Sequence, residues 1–180
     1  DNNMGNPPPP FGMDDDTLNI DAPAHLMNSV ADGQGGDDAI RFVASTNPLD
    51  LSQLTTLANF EILTSTADTT TLKSADLAQF GTINTGGGGN DTLDLTGGGP
   101  ADFSMINVQG VTFINGDDGA ADTITGTANL DQIAGRGGAD DLSGGDGDDI
   151  FRLNAGDYVM GEVIDGGAGS DTLKIVDTSN

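Results

Sequence analysis

The chain has no cysteine and no tryptophan, and aromatic residues make up only 4% of it. Disulfides therefore cannot staple it, and large rings cannot fill a thick core. Basic side chains are scarce, 5 against 29 acids, which leaves a formal net charge of −24 at pH 7. That balance excludes a nucleic acid partner, which needs a basic footprint. No run approaches the roughly 18 apolar residues that span a bilayer, so no membrane insertion is expected. His25 is the only histidine, and without cysteine or a second histidine the usual zinc coordination is excluded. A catalytic triad would need His25 beside an activated serine, and no nucleophile motif is present, so the chain is read as non-enzymatic. It opens on Asp1 with no signal-peptide pattern and is expected to be a processed product or a piece of something longer.

Low hydrophobicity with high charge ordinarily means disorder. Such a chain folds only if something outside it neutralises the carboxylates. The kind of acid points to what that is. Of the 29 acids only Glu61 and Glu162 are glutamate, and the other 27 are aspartate. Aspartate is a poor helix former but suits turns and metal loops. Glycine is abundant, at 28 residues.

The aspartates are periodic. From Asp117 to Arg152 the chain divides into blocks of nine: DDGAADTIT, GTANLDQIA, GRGGADDLS and GGDGDDIFR. The sixth position is always aspartate (Asp122, Asp131, Asp140, Asp149), and the eighth is always apolar (Ile124, Ile133, Leu142, Phe151). The last block fits G-G-x-G-x-D-x-U-x in full. So do GGGGNDTLD from Gly86 and GGAGSDTLK from Gly166. GQGGDDAIR from Gly33 fits in part, and GMDDDTLN from Gly12 is a degenerate copy.

These nonapeptides resemble those of the RTX proteins, secreted bacterial proteins with a calcium-binding parallel β-roll. The resemblance is continuous from Asp117 to about Val176 and reduces to islands before Asp117. It implies an all-β, parallel β-roll or β-helix solenoid with calcium ions between stacked Gly/Asp-rich loops. It also implies export of the type I kind, folding outside the cell, and a secreted or cell-surface location.

The spacing has a physical reading. Each nonapeptide is a loop of six residues and a strand of three, so two of them make one turn. Turns stack at the strand spacing of roughly 4.8 Å. Asp122 should then face Asp140, and Asp131 should face Asp149. By resemblance, each pair shares a Ca²⁺ with loop carbonyls. The candidate metal ligands are Asp122, Asp131, Asp140, Asp149 and Asp171, with Asp91 and Asp38 from the remote copies. Carbonyls are expected from Gly135, Gly138, Gly144, Gly147 and Asn129. Asn129 and Arg136 replace glycines. Asparagine tolerates the left-handed backbone, whereas Arg136 is harder to accommodate. Asp171 falls four positions past the point where one regular turn from Asp149 would end, so an enlarged turn is expected there. Asp157 lies inside it and is either a further ligand or an ordinary loop residue.

The organisation expected is a Pro-rich arm over 1–15, an irregular β-solenoid over 16–116 and the nonapeptide roll over 117–180. Within the irregular part LANFEILT from Leu57, LAQFGTIN from Leu77 and VQGVTFIN from Val108 recur. LDLSQL from Leu49 resembles ADFSMI from Ala101. Alternation favours strands. A helix over Leu49 to Phe60, capped at Asp50 or Ser52, is the alternative. Pro7 to Pro10 read as a linker. The Thr-rich run Ala67 to Leu72 lacks the continued Thr-x-Thr period of an ice-binding array.

The expected function is a calcium-binding structural module of a secreted or cell-surface bacterial protein, such as a surface layer, adhesin or matrix component. Calcium is the cofactor, and self-association or neighbouring domains of the same protein are the partners. The alternative is an accessory or secretion module of a larger secreted enzyme or toxin.

Overall fold

The computed structural model describes residues 14–20, 29–43, 48–86 and 90–176. The polyproline stretch, His25 and part of the Gly86 nonapeptide lie outside the described residues. In chain order the strands are β1 (Thr17–Ile20), β2 (Val30–Asp32), β3 (Ala39–Phe42), β4 (Leu49–Asp50), β5 (Thr56–Ala58) and β6 (Ile62–Ser65). β7 (Thr69–Lys73), β8 (Thr82–Asn84), β9 (Asp91–Thr96), β10 (Gly99–Asp102), β11 (Asn107–Gln109) and β12 (Val111–Asn115) follow. The roll contributes β13 (Asp122–Thr125), β14 (Gln132–Ala134), β15 (Asp141–Ser143), β16 (Ile150–Asn154), β17 (Val163–Asp165) and β18 (Thr172–Val176).

The strands pair in parallel and stack as a solenoid of about seven turns. One sheet runs the length of it, in the order β18-β16-β14-β12-β9-β7-β4. A second, β1-β3-β6-β8-β11, covers only the amino-terminal half, and a third, β10-β13-β15-β17, covers the other half. The β2–β5 pair and the 3₁₀ helix Ser74–Gln79 precede this third sheet on the same side, the helix packing against both β5 and β10. The early turns are thus three-sided and the late turns two-sided. The second sheet ends at β11, where the chain begins to return directly from the third sheet to the first.

Period-two alternation drives this arrangement. Inward residues stack on their equivalents one turn on: Leu18 on Ile40, Ile40 on Leu63, and Leu63 on Ile83. In the roll, Ile124 stacks on Leu142 and Ile133 on Phe151, all within 2% of complete burial. Each such side chain contributes roughly 1.5–3 kcal/mol of burial. The register matches the period read from the sequence. β13 pairs with β15 through Ile124 and Leu142, the spacing of two nonapeptides. The enlarged turn also appears, because the partners in β15 and β17, and in β16 and β18, stand four positions beyond that spacing.

Leu49 to Phe60 is strand, a 3₁₀ turn over Leu51–Gln53, then strand, rather than one helix. Asp50 is the cap, and its carboxylate accepts from Ser52 N at 3.0 Å. Its counterpart in ADFSMI folds the same way, with Asp102 accepting from Ser104 N at 2.9 Å. This shared turn explains why the two segments look alike. The other recurrence is less uniform. LANFEILT and LAQFGTIN lead into β6 and β8 of the second sheet, whereas VQGVTFIN leads into β12 of the long sheet.

Candidate metal sites

The loops between strands carry the acids in columns along the solenoid edges. In each column a backbone N–H of one turn donates to the carboxylate of the next. Asp122 N donates to Asp140 Oδ1 at 2.9 Å, and Asp131 N to Asp149 Oδ1 at 2.8 Å. Asp149 N continues to Asp171 Oδ1 at 3.0 Å. Asp140 N continues to Glu162 Oε2 at 3.5 Å. A third column runs through the three-sided half, where Asp16 N donates to Asp38 Oδ1 at 2.7 Å and Asp38 N to Glu61 Oε2 at 2.8 Å.

One carboxylate oxygen per rung is used in this way. Its twin turns back over a glycine of its own loop. A Cβ on Gly126 would collide with both Asp131 Oδ2 and the Gly144 carbonyl. At Gly116 the colliding atoms are Asp122 Oδ2 and the Gly135 carbonyl, and at Gly144 they are Asp149 Oδ2 and the Gly166 carbonyl. Gly33 repeats the arrangement in the irregular half, with Asp38 Oδ2 and the Asn59 carbonyl. Glycine is required there for space. Gly138 and Gly147 serve backbone conformation as well, at φ +129° and +121°, facing the Ala120 and Asn129 carbonyls of the preceding turn.

Several of the ladder carboxylates keep an orphan oxygen. Oδ2 of Asp38, Asp140 and Asp149, Oδ1 of Asp122 and Oε1 of Glu162 are buried with no hydrogen-bond partner. Asp38, Asp122, Asp140 and Asp149 are each at most 2% exposed. A buried carboxylate that lacks a partner is costly. Burial accordingly pushes the Asp122 carboxyl up to about 6, helped by repulsion from Asp140 and Asp117. Burial raises Asp131, Asp140, Asp149 and Glu162 too, with lesser repulsion from Asp149 on Asp131 and from Asp171 on Asp149.

The two replaced glycines behave differently. Arg136 adopts the left-handed backbone at φ +66°, as Gly145 does at φ +100° in the next block. Its guanidinium pairs with Asp94 at 2.9 Å and Asp118 at 3.2 Å. Asn129 does not take a positive φ. Instead Thr127 organises its loop, the Thr127 hydroxyl donating to Asp131 Oδ2 at 3.0 Å and accepting from Asn129 N at 3.0 Å.

Asp91 is buried at the start of β9, paired with Val111 on the β12 side, while the Thr69–Thr92 pairing on the β7 side brings Asp68 alongside it. Asp157 lies half-buried in the enlarged turn and accepts from Asn154 N and Nδ2 at 3.0 and 2.8 Å. The ladder position there belongs to Glu162, which the sequence reading did not single out. Glu61 and the Asn59 carbonyl were also missed. The signal was available, since each of the chain's only two glutamates stands one irregular turn after a ladder aspartate, Glu61 after Asp38 and Glu162 after Asp140.

Calcium takes six to eight oxygens from carboxylates and carbonyls. Orphaned carboxylate oxygens beside loop carbonyls are donors of that kind, so the residues fit a hard cation. Among the described residues no three His, Cys, Asp or Glu side chains gather into one cluster. Backbone carbonyls would therefore have to supply much of any coordination shell.

No family model, curated protein or solved structure matches the chain. The fold and the loop chemistry therefore carry the functional argument.

Proposed function

We propose that the chain is a calcium-folded structural module of a secreted or cell-surface protein. One observation carries the reading. Asp122, Asp140 and Asp149 each bury a carboxylate oxygen without a hydrogen-bond partner, at loop positions repeated through the roll. A chain with net charge −24 has too few internal cations to neutralise them, because only 5 basic side chains exist. A hard cation bound at the loops offsets the repulsion and ties successive turns together. Binding only to the folded state stabilises it by mass action. The RTX-like nonapeptides support calcium as that cation and the extracellular setting as its source. The absence of a nucleophile–base arrangement in the sequence supports a structural role.

Small-angle X-ray scattering tests the proposal. In chelator the radius of gyration should approach the roughly 45 Å of an unfolded chain of this length, and in calcium it should fall toward roughly 16–20 Å. A compact particle in chelator, unchanged by calcium, would overturn the reading.

A further inference from the structure

The enlarged turn differs from the regular loops in two ways and shares a third feature with them. First, the loop glycine meets its own carboxylate more closely than it meets any carbonyl of the following turn. The three atoms nearest a Cβ on Gly135 all belong to Asp140, whereas Gly116, Gly126 and Gly144 each meet a carbonyl of the following turn as well. Second, the rung is loose, with Asp140 N to Glu162 Oε2 at 3.5 Å against 2.8–3.0 Å in the other roll rungs. As in the regular Asp122–Asp140 rung, both carboxylates keep a buried oxygen with no hydrogen-bond partner, here Asp140 Oδ2 and Glu162 Oε1, and Asp140 is only 1% exposed. Asp157 stands close enough that its charge raises the proton affinity of both.

We propose that this turn forms a cation site of a second kind, in which the Asp140 and Glu162 carboxylates hold a hard divalent ion and Asp157 adds charge from the rim. The inference rests on the hard-cation reading of the ladders and extends it to selectivity. Two carboxylates with the next turn's carbonyl set farther back leave the ion more of its water. Magnesium binds in that manner, through one or two carboxylates, whereas calcium favours a fuller protein shell. The site therefore accepts magnesium on more equal terms with calcium than the glycine-loop sites do.

Tyr158 makes the site observable. It is the chain's only tyrosine, there is no tryptophan, and it adjoins Asp157 with 73% exposure. Terbium(III) bound in this turn is sensitised by excitation of that ring. Terbium chloride titrated into the full chain should give saturable emission that magnesium displaces. Outer-shell partners alone are worth about 10–100-fold in metal affinity, so Glu162→Gln should weaken terbium binding by at least about tenfold. Circular dichroism in saturating calcium shows whether the variant still folds. If it does not, Asp157→Asn replaces it, with weaker terbium binding expected. Emission that is absent although calcium folds the protein, or unchanged in both variants, overturns the site while leaving the calcium reading intact. Glu162-dependent emission from a chain that calcium fails to fold would support the site and contradict the calcium reading.

Discussion

The backbone N–H of Asp131 donates to the carboxylate of Asp149, one turn further on, at 2.8 Å. The contact joins one turn to the next through the group that faces the candidate ion. Asp149→Ala removes both functions, since it leaves the buried Asp131 N–H without an acceptor and takes away a proposed ligand. An orphaned buried donor costs about 1–3 kcal/mol. Asp149→Ala should therefore destabilise even chelated, acid-folded protein and also lower calcium affinity. Asp141→Ala, at an exposed position on the outer face of β15, should do neither. Chemical denaturation with and without calcium checks both, and equal effects at the two positions would contradict the assigned ladder.

Glycine space provides a second test. A Cβ at Gly144 meets Asp149 Oδ2 and the Gly166 carbonyl together, whereas one at Gly119 meets nothing within 4 Å. Gly144→Ala should weaken calcium binding and stability. Gly119→Ala should stay within about 0.5 kcal/mol of wild type. Calorimetric calcium titration of the two variants reads the difference.

Arg136 holds a left-handed backbone that costs a residue with a Cβ roughly 1–2 kcal/mol. Its solvent-accessible ion pairs with Asp94 and Asp118 offset less than that. Arg136→Ala keeps the strain and loses the pairs, while Arg136→Gly loses both. The glycine variant should be the more stable of the two by about 1 kcal/mol, measured by thermal unfolding in calcium.

The acid-dependence has a definite sign. The folded Asp122 carboxyl, pushed up to about 6 by burial, holds its proton more tightly than the unfolded group near 4. Its contribution to stability is complete below about pH 4 and lost as the pH rises through about 6. The raised Asp131, Asp140, Asp149 and Glu162 act in the same direction. Asp117 opposes them, because the Gly97 and Gly119 N–H groups hold it below the usual range. Chelated protein should thus be better folded near pH 4 than at pH 7.5. The calcium concentration needed at half-saturation should rise as protons compete between pH 7 and 5. A chelated protein that gains structure from pH 4 to 7.5 would contradict this balance.

The sequence was most legible where two nonapeptides make one turn. There period, register and burial coincide, and the Asp122–Asp140 and Asp131–Asp149 neighbours follow from counting. The three-sided half was hidden because its turns vary in length. Ile40 stacks on Leu63, but Leu63 stacks on Ile83 after a shorter turn, so no fixed period exposes the column from Asp16 through Asp38 to Glu61. Glu61 and Glu162 escaped because aspartate was the residue sought, although a longer side chain can reach the rung across an irregular turn. The Asn59 carbonyl carries no sequence signal of its own, since it depends on a left-handed φ of +57° at that residue.

Phe151 tests the core directly. It is 2% exposed and stacked between Ile133 and Leu173. Phe151→Ala should cost roughly 3–5 kcal/mol. Leu173→Ala, at 51% exposure on the last turn, should cost far less. Comparable losses would place Phe151 outside the packed interior.

The most direct measurement is far-UV circular dichroism through a calcium titration, starting from chelated protein at neutral pH. The account predicts a coil spectrum that turns to β as calcium rises, with magnesium at equal concentration producing much less of the change. A chelated protein already showing the full β signal and ignoring calcium would contradict it.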